Sequence, residues 1–155
     1  MLAEARRNGG NAEKYLTLGW SGPEEGFRWT DGHTSVFECY LPKPKTDLVL
    51  KMTIIPFLGN NQIECQRVSI LMNDHKLKDV LRVSDTENLT IEIPHNYFEE
   101  EIQRITFELP DAISPKDLGV SADARTLGIA VRMLSMNYRS DGAHPAIATF
   151  AHGLS

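Results

Sequence analysis

The segment Gly19–Gly32, GWSGPEEGFRWTDG, gathers both tryptophans of this 155-residue chain, Trp20 and Trp29, together with Glu24, Glu25, Phe27, Arg28 and Asp31. An indole presents a flat apolar surface that stacks on the apolar face of a pyranose ring. Carboxylates and a guanidinium hydrogen-bond the ring hydroxyls. Trp20, Glu25, Arg28, Trp29 and Asp31 are therefore the candidate ligand-binding residues. The same residue types also serve structure, with a tryptophan plugging the core and an arginine forked onto a carboxylate to fix a loop. Both readings stand on the residues alone. A second polar pair, Asp123 and Arg125, lies in SPKDLGVSADARTLGIAV (Ser114–Val131) just before an apolar run. Two positions apart in extended backbone, these side chains share a face and can lock a loop to a sheet. Asp123 and Arg125 read as a structural clasp, and they could join the first and last parts of the fold through the Trp20–Asp31 cluster.

Reactive chemistry finds less support. Glu24 and Glu25 are sequence neighbours, whereas the two carboxyls of a glycosidase flank a substrate at roughly 5–10 Å. Asp31 or Asp123 could supply a partner, but nothing specifies one, so no catalytic residue is assigned and the chain is read as a non-catalytic module, with a glycan-active enzyme as the less favoured alternative. The five histidines, His33, His75, His95, His144 and His152, have no metal-ligand spacing. No transition metal and no cofactor is expected. A structural calcium ion is the one cation such loops could collect, with Glu24, Asp31 and Asp123 as its ligands. No serine sits in a GxSxG setting, and no glycine-rich loop opens a helix, so nucleophilic and nucleotide chemistry lack a signature.

The elements that must position these residues read as strands. TSVFECYL (Thr34–Leu41) alternates Phe37, Cys39 and Leu41 against Val36, Glu38 and Tyr40. DLVLKMTIIPF (Asp47–Phe57) sets Leu48, Leu50, Met52 and Ile54 on one face, and QRVSILMND (Gln66–Asp74) sets Val68, Ile70 and Met72. An Asn-Asp turn precedes HKL, and DVLRVSD, NLTIEIP and RITFELP give three more short strands. LGIAVRMLSM (Leu127–Met136) gives the last. YFEEEIQ (Tyr97–Gln103) is the exception, a candidate helical turn capped by Asn96. Seven or eight short strands at even spacing predict an all-β chain, an antiparallel two-sheet β-sandwich of jelly-roll type.

The length suits one domain. We expect a flexible or linker segment over 1–13, the sandwich over 14–138, and a tail or covering strap over 139–155. The net charge of −5 provides no broad positive field for phosphates, which excludes nucleic acid as the expected partner. No run of apolar residues reaches bilayer length and the start lacks a signal-peptide core, so a cytoplasmic location without a membrane span is expected. Cys39 and Cys65 have neither zinc nor CxxC spacing; a disulfide between them is open, and two small core residues is the simpler expectation.

Three motifs carry a family likeness. GWSGPEEGFRWTDG, a middle strand ending in MND where related chains carry a V-x-V-N-G-like hairpin, and SPKDLGVSADARTLGIAV occur in that order. Together they resemble the β-sandwich domains attached to bacterial glycosyltransferases and other surface-polysaccharide assembly proteins. The match runs from about Leu16 to Met136, with Asp74-His75 standing where a glycine turn is expected. The resemblance implies a jelly-roll, carbohydrate-binding-like accessory module, with Trp20, Glu25, Arg28, Trp29, Asp123 and Arg125 at motif positions. The partners it implies are an oligo- or polysaccharide and a glycosyltransferase domain in the same longer chain. The competing expectation is a structural or oligomerisation sandwich with no glycan site.

Overall fold

The computed structural model describes residues 16–138 and 148–150. The expected linker over 1–13, and most of the expected tail over 139–155, lie outside the described residues. Among the described residues the strands are β1 (Leu16–Leu18), β2 (Trp20–Glu24), β3 (Phe27–Thr30), β4 (Thr34–Tyr40), β5 (Leu48–Pro56) and β6 (Gln66–Met72). They continue with β7 (His75–Val83), β8 (Glu87–Ile93), β9 (Ile102–Glu108), β10 (Ile129–Tyr138) and β11 (Ala148–Phe150). One sheet has the spatial order β1, β4, β9, β6, β7. The other has β2, β3, β10, β5, β8, with β11 also pairing to β10. Every pairing is antiparallel. The chain changes sheet at every step between consecutive strands except β2 to β3, β6 to β7 and β10 to β11. The result is the expected two-sheet, jelly-roll-like sandwich.

Alternation decides which side chains meet between the sheets. Leu48, Leu50, Met52 and Ile54 of β5 are all buried, as are Val68, Ile70 and Met72 of β6. Phe37 and Cys39 on β4, and Leu41 just beyond it, close the same core against Ile105, Phe107, Leu134 and Met136. Each fully buried aliphatic side chain of this kind contributes about 1.5–3 kcal/mol relative to an exposed one.

Three local expectations change. The turn-rich Gly19–Gly32 stretch is a hairpin, β2 and β3, with Gly26 at positive φ (88°) between the strands. Phe98–Gln103 is not helical; among the described residues the one 3-10 turn is His95–Tyr97, it follows Pro94, and no side chain caps it. Backbone pairing outcompetes a helix there, because the carbonyls of Glu100 and Glu101 accept from the amides of Lys43 and Leu41. The last long strand starts at Ile129 and runs to Tyr138, while Leu127 forms an isolated bridge to Ile113. The Asn-Asp turn does lead directly into a strand, β7, with Asn73 at φ 54° and Met72 paired to His75. The Asn73 amide also joins that turn to β9 and the 3-10 turn, donating to the Tyr97 carbonyl at 2.8 Å and accepting from Arg104 N at 2.9 Å.

Cys39 and Cys65 are both free, Cys39 buried within β4 and Cys65 half-buried in the loop before β6. Burial pushes the Cys39 thiol up to about 12, with the Glu38 carboxylate adding to the effect. The thiolate is the reactive form. Titration of the native protein with a thiol-specific chromogenic disulfide at pH 8 should therefore count the thiol of Cys65 alone, and denaturant should release the second. Two fast-reacting thiols in the native state would contradict this packing.

Candidate functional site

The β2–β3 hairpin holds the candidate cluster, and its pairing decides where each side chain goes. Ala130 of β10 is opposite Trp29, and Val131 is opposite Arg28. Val131 is in the core, so Arg28 lies on the inner face of the sheet, where it is 9% exposed and donates from Nη1 to the Ser21 carbonyl at 3.0 Å. Thr30 lies on the same face and is fully buried. Its Oγ1 donates to the Ile129 carbonyl and accepts from the amides of Ile129 and Gly128, at 3.1–3.3 Å. Trp20 pairs with Thr30 across the hairpin and also turns inward. Its Nε1 donates to Val36 O at 2.9 Å, and its ring meets Phe107 edge-on at 6.0 Å.

Trp29 takes the opposite face. It is half-buried and stands edge-to-face between Phe27, at 6.0 Å between centroids, and Phe57, at 6.1 Å. Ala130 and Ile55 share that outer face through the β3, β10, β5 register. Glu25 is exposed at the hairpin tip. Asp31 closes the far end, where its Oδ1 accepts from Thr126 N at 2.9 Å and Gly32 N donates to Thr126 O at 2.8 Å. The sheet thus separates the five ligand candidates. Trp20 and Arg28 face inward, Trp29 outward, Glu25 lies at the tip and Asp31 binds the loop before β10.

Asp123 and Arg125 form the best-defined polar constellation here. The Arg125 guanidinium forks onto Asp123 through Nε at 3.0 Å and Nη2 at 2.7 Å, and Arg125 N donates to the same carboxylate at 3.0 Å. Its remaining Nη1 donates to Ser21 Oγ at 2.8 Å and to Glu24 Oε2 at 3.3 Å. Residues about a hundred positions apart are thereby tied, the loop before β10 to β2. The side-chain hydrogen bonds from Arg125, followed by its backbone amide, hold the Asp123 carboxyl down at about 2. Arg125 is pushed further above its ordinary value, chiefly by the bond to Asp123.

Of the three carboxylates considered for calcium, Asp123 and Glu24 contact Arg125 and Asp31 contacts a backbone amide. Among the described residues no group of three His, Cys, Asp or Glu side chains could hold a metal ion. An open depression lined by Glu64, Cys65, Arg82 and Ser84 carries no aromatic side chain. Sequence reasoning did not single out Phe27 and Phe57 as companions of Trp29, nor Arg132 near them on the outer face. The F-x-W spacing within GFRWT was the available signal for the first. A lone cation inside the apolar run LGIAVRM was the signal for Arg132.

Fold and site define a jelly-roll-like antiparallel β-sandwich whose aromatic row lies on the outside of one sheet. No family model and no curated protein matches the chain. Similar solved structures include the sugar-binding C-terminal domain of EclA, at 10% identity and TM-score 0.45, covering 69% of this chain and 70% of that one. The carbohydrate-binding module CBM36 in complex with calcium and xylotriose is 8% identical with TM-score 0.47, covering 81% and 96%. A cycloalternan-forming enzyme from Listeria monocytogenes, in complex with a pentasaccharide substrate, is 10% identical with TM-score 0.44 over 79% of this chain. This chain matches only 11% of that enzyme's length. None of the described helices is long and apolar enough to cross a membrane.

Two consequences are measurable. Gly19 has φ 79°, and a Cβ there would stand 2.1 Å from the Thr34 carbonyl oxygen, a backbone atom that cannot move aside cheaply. Gly19→Ala should cost at least ~2 kcal/mol by urea unfolding, from left-handed strain plus the clash; a change within error would show that the hairpin enters differently. The Asp123 carboxyl takes up its proton at lower pH folded than unfolded. Its contribution is therefore complete above the ordinary carboxylate range and is lost as pH falls from about 4 to about 2. Against Asp123→Asn, the wild type should be more stable by on the order of 1 kcal/mol at neutral pH, allowing for solvent screening of a partly exposed pair. That margin should vanish near pH 2, whereas a pH-independent difference would remove the ion pair as its cause.

Proposed function

We propose that this chain is a non-catalytic glycan-binding module, in which the row Phe27, Trp29 and Phe57 on the outer face of the six-stranded sheet receives a sugar ring. The observation that carries this reading is the placement of Trp29. Strand alternation turns it away from the core, and two edge-on aromatic neighbours fix its ring. A rigid indole on a sheet loses little side-chain freedom when a ligand stacks on it. Glu25 at the adjacent tip and Asp31 at the hairpin's far end supply hydrogen-bonding groups on either side. Asp123 and Arg125 act in this reading by holding the hairpin to the loop before β10.

The wider setting we propose is surface-polysaccharide or glycosyltransferase machinery, in which the module raises the local concentration of glycan near a catalytic partner. The three sequence motifs support that setting. A cytoplasmic location fits two cysteines that remain unpaired.

Calorimetric titration with a panel of neutral and acidic oligosaccharides tests the reading. Trp29→Ala should weaken binding at least ~10-fold while the fold persists. Trp20→Phe, which loses the inward bond to Val36, should lower the melting temperature and leave affinity unchanged. Absence of binding to any glycan by the wild type would count against the module. Equal binding by wild type and Trp29→Ala would move the site elsewhere.

A further inference from the structure

Beyond the aromatic row, the outer face of the same sheet carries two cations whose placement is unusual. β10 pairs regularly with β5 except between Val131 and Met133, where the register shifts. Val131 and Leu134 are both fully buried, so the two residues between them, Arg132 and Met133, turn outward together at a β-bulge. Bulges re-aim side chains, and this one sits on a strand paired along both edges. On one of those edges β3 pairs with Ala130 and Val131, and β11 with Leu134 to Met136, so Arg132 falls between the two partners. It therefore emerges close to Phe27 and Trp29.

Lys51 is outward and exposed on β5, opposite Ser135 and Thr90. By strand rise it lies roughly 10 Å from Arg132 along the face. Neither cation has an ion-pair or hydrogen-bond partner among the described residues. The surface between and beside them is built of short hydrogen-bonding groups, among them Thr90 and the pair in which Thr53 Oγ1 donates to Asn88 Oδ1 at 2.6 Å. On the outer positions of β5, β8 and β10 the one acidic side chain is Glu92, opposite Val49 toward the end away from Trp29, while Glu24, opposite Phe27 on β2, is paired with Arg125 at 3.3 Å. In a chain of net charge −5, two exposed and unpaired cations on an aromatic, hydroxyl-bearing face invert the local sign.

We infer that this face takes an anionic glycan, whose charged substituents meet Arg132 and Lys51 while Trp29 stacks on a neighbouring ring. The inference rests on the glycan-binding reading above and adds the ligand's charge class. An arginine fork donates to carboxylate, sulfate or phosphate oxygens in pairs, and the lysine ammonium acts as a point charge further along the chain of sugars.

The test uses an oligogalacturonide of four residues, its carboxyl-reduced neutral counterpart, and a sulfated form of that neutral counterpart, each titrated into the full chain. At low ionic strength at least one acidic form should bind ~10-fold or more tightly than the neutral form, and the gap should narrow near 0.5 M salt as charges are screened. The acidic form that binds more tightly identifies the anion. Arg132→Gln combined with Lys51→Gln should bring acidic binding down to the neutral level while leaving neutral binding and the melting temperature in place. If acidic and neutral forms bind equally and Trp29→Ala abolishes both, the module stands and the charge class is overturned. An acidic preference that survives the double substitution also overturns the assignment. If none of the three forms binds the wild type, this inference falls; should other neutral glycans in the panel also fail, the glycan reading falls with it.

Discussion

The hydroxyl of Thr30 fixes the arrangement on which the rest of the candidate site depends. It is fully buried and makes three hydrogen bonds to the backbone of Gly128 and Ile129, at the point where the loop enters β10. A buried hydroxyl without partners would cost about 1–3 kcal/mol, so this set is strongly preferred in one register over its neighbours. With that register pinned, Arg28 meets Val131 and Trp29 meets Ala130. A slip by one residue would exchange the faces, sending Trp29 into the core and Arg28 to the outside. The position of the aromatic row is therefore a consequence of one threonine as much as of the tryptophan itself.

Packing and polar closure divide the work between the middle and the end of the sandwich. The middle is mostly apolar, with β5, β6, β9 and β10 contributing side chains that are almost completely buried. The end near the hairpin is held by hydrogen bonds, through the Arg125 fork, the Asp31 to Thr126 pairing, and the Asp31 amide bonded to the Gly19 carbonyl. Chain segments distant in sequence meet there, so the loops cannot rely on short-range turn geometry. Directional bonds supply an alignment that apolar contact alone does not impose. Gln103 does a similar task at another position, its buried amide bonding Leu41 O, Glu99 O, Glu99 N and the Asn73 side chain.

The strands with one buried face were legible in the sequence because their period of two is uninterrupted. The inward sets of β4, β5 and β6 follow directly from alternation, and the sandwich class follows from their number and spacing. The hairpin β2–β3 was harder, since Gly, Pro and two glutamates within a few residues look like a loop even where short strands pair across a bulge. The helical turn expected at Tyr97–Gln103 reflected local propensity alone; the segment instead extends the pairing of β4 and β9 through Leu41 and Lys43. A clasp between Asp123, Arg125 and the Trp20–Asp31 cluster was suggested by their polar character, but the partners of Arg125 there, Ser21 and Glu24, are set by topology. The bulge at Arg132 was not legible, because a single extra residue leaves no mark in a run as apolar as LGIAVRML.

The outward aromatic row and the inward polar pins are linked through one short strand, and that link bears on how any ligand would be held. β3 is only four residues long, yet it is paired to β2 and β10 and anchored by the side chains of Arg28 and Thr30. Side chains on such a strand have few alternatives, because the inner positions are occupied by bonds that cannot be remade outward. On the proposed glycan-binding reading, Trp29 is oriented before a ligand arrives, and the entropy cost of ordering it is met in folding. A flat face of this type favours an extended ligand lying across strands over a small molecule that needs enclosure. Arg28 is separated from Trp29 by the sheet, its guanidinium bonded to the Ser21 carbonyl on the inner face. The arginine that faces the same way as Trp29 is Arg132, delivered by a bulge in the neighbouring strand.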